Sequence, residues 1–318
     1  MNETLPNHCR KKDEGPAIIG EYMKRQFVIL ISILFIAAHR DAFAQTVQRD
    51  IARTNEKLVN VELSASFGSV NVRKGDPGKI VQVSYRKKQN EKDASINLEY
   101  SKHNTTGELL IELHPEKTKY SRSKSGEMNI QVDDVNIRSE EWYVGLTDAV
   151  PISLDAELGA GKSSFNLTGL RITNLSISTG ASKSSLSFDE KNSAEMEELK
   201  IETGVSKFTA DNLNNANFSK MSFESGVGSY YLDFGGELTR TVDVNINVGL
   251  GAVTVVIPKM IGVKIRYEES WLSNFSIDDD LVRKRKGTYE SDNYESAPGR
   301  MNIFIEAGLG SVKVKRSR

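Results

Sequence analysis

Apolar and polar residues alternate along most of this chain with a period of two, and one short glycine-rich turn interrupts the alternation again and again. The pattern reads apolar-x-apolar-x-small, then Gly-x-[Gly/Ser], then alternation once more. It occurs seven times, as VELSASFGSVNV, LDAELGAGKSSFNL, LSISTGASKSSLSF, LKIETGVSKFTA, MSFESGVGSYYLDF, VNINVGLGAVTVVI and NIFIEAGLGSVKV. A period of two puts alternate side chains on opposite faces of an extended strand, so one face is buried. Taking the second small residue as position zero gives Gly68, Gly161, Ser182, Ser206, Gly228, Gly251 and Gly310. Two residues earlier stand Ser66, Gly159, Gly180, Gly204, Gly226, Gly249 and Gly308. Seven and five residues before zero every copy is apolar, from Val61 and Leu63 to Ile303 and Ile305. Four before zero every copy is polar: Ser64, Glu157, Ser178, Glu202, Glu224, Asn247 and Glu306.

Each copy therefore reads as two short strands meeting at a glycine corner. Glycine suits such a corner because it reaches positive φ without strain and lets stacked backbones approach closely. Consecutive copies centred from 161 to 251 are 21, 24, 22 and 23 residues apart. That regularity predicts an all-β, single-stranded β-solenoid, or β-roll, of about 22-residue coils. One coil cannot bury its apolar face alone, so the coils must stack. The corner glycines, Gly159, Gly161, Gly180, Gly204, Gly226, Gly228, Gly249, Gly251, Gly308 and Gly310, are read as structural. A leucine-rich repeat is the alternative, because LTGLRITNLSIS at 167–178 has that spacing, but LNNANFSKMSF and LTRTVDVNI lack the second leucine ladder.

The remaining segments are less regular. Val263, Ile265 and Tyr267 look like one more, degenerate coil, followed by a charged loop from Asp278 to Pro298. Residues 58–150 form an N-terminal β section expected to cap the stack. It contains a strand at Ile80–Tyr85 and a hairpin of Ile96/Leu98/Tyr100 and Leu109/Ile111/Leu113 around His103-Asn104-Thr105-Thr106-Gly107. The repeats proper occupy 151–318, and 45–57 reads as a linker. At the far end Lys313, Lys315, Arg316 and Arg318 are expected to blunt the last sheet edge by charge.

The first 44 residues have the composition of a targeting segment. Met23-Lys24-Arg25 is a basic start, Phe27 to Ala38 an apolar core of 12 residues, and Ala42-Phe43-Ala44 a small-residue cleavage site. The apolar run is short for a bilayer span. The expectation is an export signal over 23–44, cleavage before Gln45, and a location in the periplasm or at the cell surface. Residues 1–22 carry mixed charge and read as lying upstream of the true start at Met23. Removal of residues 1–44 takes the single cysteine, Cys9, with it. It also takes six basic and five acidic residues, which moves the formal charge from −1 to −2. That balance offers no footprint for nucleic acid.

In order, the residues EEWYVGLTDAVPISLDAELGAGKSSFNLTGLRITNLSISTGASKSSLSF and SAPGRMNIFIEAGLGSVKVK resemble the toast-rack family of exported bacterial proteins. That family is grouped with "putative adhesins" and with the C-terminal region of LiaF-like cell-wall-active-antibiotic-response proteins. The resemblance runs from about Leu58 to Lys315 and includes Trp142 and the Val-Pro at 150–151. It implies a β-roll or β-solenoid and an envelope location, and it brings no catalytic residues. LiaF-like proteins carry several membrane helices ahead of this region, whereas this chain offers only the signal.

Little in the sequence carries chemistry. Once residues 1–44 are set aside only His103 and His114 remain, with no cysteine beside them, so no zinc ligand set is read. No G-x-S-x-G elbow occurs. Asp278-Asp279-Asp280 and Asp133-Asp134 could meet a calcium ion, but EF-hand spacing and the GGxGxD nonapeptide are absent, and solvated carboxylates are the simpler reading. Arg283-Lys284-Arg285-Lys286 could meet an anionic glycan, a headgroup or an acidic partner, or be a solvated run. Lys162, Lys183 and Lys207 each follow position zero, so stacking should align them as a candidate interaction ladder, with a parallel acidic row of Glu157, Glu202 and Glu224. The resulting expectation is a non-enzymatic envelope protein without cofactor that uses its solenoid surface for interaction or adhesion with an envelope protein or glycan. Envelope-stress sensing of the LiaF-like type is the alternative. A carbohydrate-active enzyme fits less well, because paired carboxylates in a groove are not evident.

Overall fold

Strand pairing continues on both sides of the glycine turns, so each repeat forms one long bent strand. The computed structural model describes residues 45–87, 94–115, 119–122, 128–131, 141–268 and 272–318. The export signal, residues 1–22, Cys9 and Asp133-Asp134 lie outside the described residues.

Seven coil strands make the stack: β2 (Leu58–Lys74), β9 (Ile152–Asn166), β10 (Ile172–Ser187), β11 (Met196–Asp211), β12 (Phe218–Asp233), β13 (Thr241–Pro258) and β18 (Arg300–Ser317). All six interfaces between them are parallel and in register. Shorter strands surround this stack. On the N-terminal side are β1 (Gln45–Ala52), β3 (Lys79–Lys87), β4 (Ser95–His103), β5 (Thr106–His114) and β8 (Glu141–Leu146). On the other side are β14 (Gly262–Glu268), β15 (Ser273–Ile277), β16 (Leu281–Arg285) and β17 (Thr288–Ser291). Two further short strands, β6 (Lys119–Arg122) and β7 (Met128–Gln131), form a separate two-stranded sheet among the described residues.

Both ends of the stack finish in the same way. Outside β2, β5 pairs with its first arm and β8 with its second. Outside β18, β14 pairs with the first arm and β15 with the second. Each end is thus a coil split in two at the corner. Beyond it the ladder turns antiparallel, through β4 and β3 on one side and β17 and β16 on the other. Antiparallel neighbours need no crossover connection, so a hairpin can close the stack where a further coil would otherwise be needed.

Three readings change here. The last strand in sequence is not the last in space: β18 lies between β13 and β14. Arg316 therefore does not blunt an edge but is buried, with its guanidinium on Asp280 and on the carbonyls of Lys259 and Ile261. The segment from Asp278 to Pro298 is not a loop, since it holds the β16–β17 hairpin, and β16 is the outermost strand. Arg283 to Lys286 lie on and just after that edge strand, exposed, so a different basic run coats the edge. Finally, residues 45–57 contain β1, which pairs with β3.

The core lies between the two arms of the coils and the return segments. Its packing is complementary in size. Where β9 and β10 place Ser163 and Ser184 inward, their next inward residues are Phe165 and Leu186; where β11 places Phe208, the next is Ala210. The two serines hydrogen-bond at 2.7 Å across the coils. On the return side Asn192, 3% exposed, bonds three successive coils. Its Oδ1 accepts from the Ile172 amide at 3.1 Å, and its Nδ2 donates to Ile172 O at 2.6 Å and Ala216 O at 3.0 Å. Parallel coils leave turn carbonyls unpaired unless a side chain reaches them, and asparagine carries both donor and acceptor for the task.

Candidate functional site: the corner face of the coil stack

The corner follows from one extra residue per coil. Along the first arm of β9 the inward residues are Ile152, Leu154, Ala156 and Leu158; along the second they are Ser163, Phe165 and Leu167. The parity has shifted by one. In the other coils too, the residue just before position zero stays on the outside and takes up the shift. A single inserted residue bends a strand and re-aims its side chains, as in a β-bulge. Here the insertion is repeated in register through all seven coils.

The glycines divide into two groups. In the row two before zero, a Cβ on Gly159 would sit 2.4 Å from Ser66 O, and one on Gly204 2.9 Å from Gly180 O. Close stacking alone excludes a side chain there, because these residues keep negative or extended φ. Position zero adds conformation: Gly161 has φ +133° and its Cβ would meet Gly68 O at 1.9 Å. The expectation of positive φ thus applies to Gly68, Gly161, Gly251 and Gly310, and neither to Gly228 nor to the row before them; Gly228 is required by stacking alone, since its Cβ would meet the carbonyl oxygen of Ser206.

Four rows cross the corner face. The first is Ser64, Glu157, Ser178, Glu202, Glu224, Asn247 and Glu306, in register. Glu202 is tied to Lys200 at 2.7 Å and accepts from the Ser178 hydroxyl at 3.1 Å, and the lysine bond foremost lowers its pKa. The second row is Ser66 in β2 and bare glycine backbone in the other coils, which leaves an open groove of about 680 Å³ beside the first, extending from β2 to β13. Its lining has no aromatic residue.

The third row was not anticipated. Phe67, Ala160, Ala181, Val205, Val227, Leu250 and Leu309 stack in register on the outside. The five large ones are 39–63% exposed. They supply most of the exposed large apolar residues of the described chain. The signal was present in the sequence, as an apolar residue between the two small ones in every copy. An apolar residue beside a glycine reads as core until the extra residue at the corner is recognised.

The fourth row holds Lys162, Lys183 and Lys207, brought together as aligned neighbours, each exposed. None of the three has an ion-pair partner among the described residues. The row ends in Ser229, Ala252 and Ser311 on one side and Ser69 on the other.

Other candidates do not converge. His103 and His114 stand at opposite ends of the β4–β5 hairpin, where His103 faces Thr106 and His114 faces Ser95. Asp278 accepts from the Arg316 amide at 2.7 Å and Asp280 from its guanidinium at 3.1 Å, so two of the three aspartates anchor the C-terminal strand. Among the described residues no group of three or more metal-capable side chains gathers. No helix of the described residues is long and apolar enough to cross a membrane.

The sequence profile of the N-terminal domain of toast_rack, DUF2154, matches residues 39–211 and again 196–256. The chain belongs to the toast-rack family. Trp142, among the residues that carried the resemblance, is fully buried on β8, beside the second arm of the first toast-rack coil. No curated protein matches the chain. Among solved structures it is similar to a "putative cell adhesion protein" from Clostridium sporogenes, at 20% identity and TM-score 0.41, over 86% of this chain and 100% of that one. It is also similar to a "putative adhesin" from Bacteroides fragilis, at 9% identity and TM-score 0.34, over 85% and 97%.

Proposed function

We propose that this toast-rack chain is an exported, non-enzymatic envelope protein whose corner face is an interaction or adhesion surface, in the periplasm or on the cell surface. The observation that carries the reading is the in-register alignment of exposed lysine and apolar rows on one edge of a stiff stack. A periodic surface of this kind meets another ordered surface at many points with little loss of conformational freedom. The glutamate row gives catalysis little support. Glu202 is held ionised by Lys200, where a glycosidase acid would need its proton retained near neutral pH.

Two measurements test this. Cell fractionation with N-terminal sequencing should recover a product starting at Gln45 outside the cytoplasm; a cytoplasmic product overturns the export reading. Retention of the chain on isolated envelope fractions should fall roughly ten-fold when Lys162, Lys183 and Lys207 are changed together to Ser. Unchanged retention removes the lysine row from the surface.

A further inference from the structure

We infer that the corner face pairs with the same face of a second copy, the two stacks lying side by side and parallel. This deepens the reading above by naming the partner of that face, and it relies on that reading only for the face being an interaction surface.

The argument is one of charge and symmetry. The apolar ridge of Phe67, Val205, Val227, Leu250 and Leu309 runs over seven strands, a length of ~29 Å at the usual strand spacing. Exposed apolar rows with charged rims mark contact surfaces. Here the two rims have opposite sign, Glu157, Glu202 and Glu224 on one and Lys162, Lys183 and Lys207 on the other. A uniformly anionic or cationic surface gains at one rim what it loses at the other. A second copy does not, provided it is turned half-way round about an axis parallel to the stack. Ridge then meets ridge, coil opposite matching coil, and each acidic rim meets a basic one. Glu157 faces Lys162 of the second copy, and Glu202 faces Lys207 of the second copy. The half-turn about an axis running across the stack sets glutamate against glutamate. Charge pattern therefore selects one two-fold arrangement out of two, as isologous interfaces require self-complementarity. The lysines are available for it, having no ion-pair partner within the described chain. A single ridge is at the small end of stable interfaces, so the dimer should dissociate in the micromolar range.

The test uses the chain expressed from its full reading frame and purified alone, followed by sedimentation velocity across the micromolar range. The expected result is a monomer–dimer equilibrium. Lys162→Glu/Lys183→Glu/Lys207→Glu and Glu157→Lys/Glu202→Lys/Glu224→Lys should each weaken self-association by roughly ten-fold or more, and a mixture of the two should restore it. In a Cys9→Ser background, Ala181→Cys should oxidise to a covalent dimer, because Ala181 then meets its own counterpart, while Asp155→Cys on the first arm should not. A chain that stays monomeric, charge variants that dimerise unchanged, or a mixture that stays monomeric overturns the proposal. Should a charge variant fail to fold by circular dichroism, the cysteine pair decides: no covalent dimer through Ala181→Cys overturns it. An unmodified chain that is retained on envelope fractions but does not self-associate sinks this inference alone. Self-association without envelope retention sinks the broader reading and leaves this one standing.

Discussion

The Tyr100 hydroxyl donates a 2.7 Å hydrogen bond to Glu56 Oε1, joining β4 to the segment that leads into the first coil. Glu56 also accepts from the Thr54 hydroxyl at 2.7 Å and the Thr54 amide at 2.8 Å. Burial by itself would raise the Glu56 carboxyl, but the Thr54 and Tyr100 bonds together outweigh it and hold the pKa at about 2. Burial and the same carboxylate push Tyr100 up to about 12. Glu56 thus adds stability that is full above its unfolded pKa of 4.5 and is lost as pH falls towards 2. Tyr100 adds stability that is full below 10 and is lost as pH rises through 12. Glu56→Gln should cost about 1–3 kcal/mol at neutral pH and flatten the acid limb of a thermal-melting series. Tyr100→Phe should flatten the alkaline limb.

Corner glycines should separate by mechanism. Gly161→Ala meets both left-handed φ and a carbonyl at 1.9 Å, and should cost roughly 3 kcal/mol or more. Gly204→Val should destabilise far more than Val205→Ser, because the first blocks stacking and the second changes an exposed side chain. Urea midpoints for the three variants check the order, and equal midpoints would refute the corner assignment.

Replacing Asn192 by Leu strands the Ile172 amide and two carbonyls between coils. The expected loss is about 3 kcal/mol. Hydrogen exchange should show it first at the amides of Ile172 and Ala194, both of which donate to Asn192 Oδ1.

Arg316→Met removes the buried bonds to Asp280, Lys259 O and Ile261 O. It should cost about 2–4 kcal/mol and speed proteolysis within 278–298 ahead of the stack. Resistance equal to the parent chain would show that Arg316 does not hold the hairpin.

The stack was legible in the sequence because its core residues recur at fixed offsets from a glycine pair, as Leu175/Ile177 and Leu199/Ile201 do. The hairpin of Leu98 and Ile111 was legible for the same reason of alternation. Three features were hidden. The ridge of Val205 and Val227 has core composition on an outer face, and only the parity shift at the corner reveals it. The β16–β17 hairpin lies at an edge where few side chains are buried, so Arg283 to Lys286 show no alternation to read. The place of β18 depends on whether it joins the free edge of β13 or lies beyond β14 to β17, and identical repeats such as Gly249-x-Gly251 and Gly308-x-Gly310 carry no label for their neighbour.

The place of β18 governs the order in which the chain can be completed. Arg300–Ser317, made after β14 to β17, fills the slot between β13 and the β14–β15 coil. Until it arrives, β13 and β14 each keep an open backbone edge, and the hairpin of β16 and β17 has no stack to close. The structure is a zip whose final tooth sits inside the row. Synthesis from the N-terminus can assemble coils up to β13 in sequence, but that closure waits until Arg300–Ser317 has been made, whichever compartment the chain then occupies.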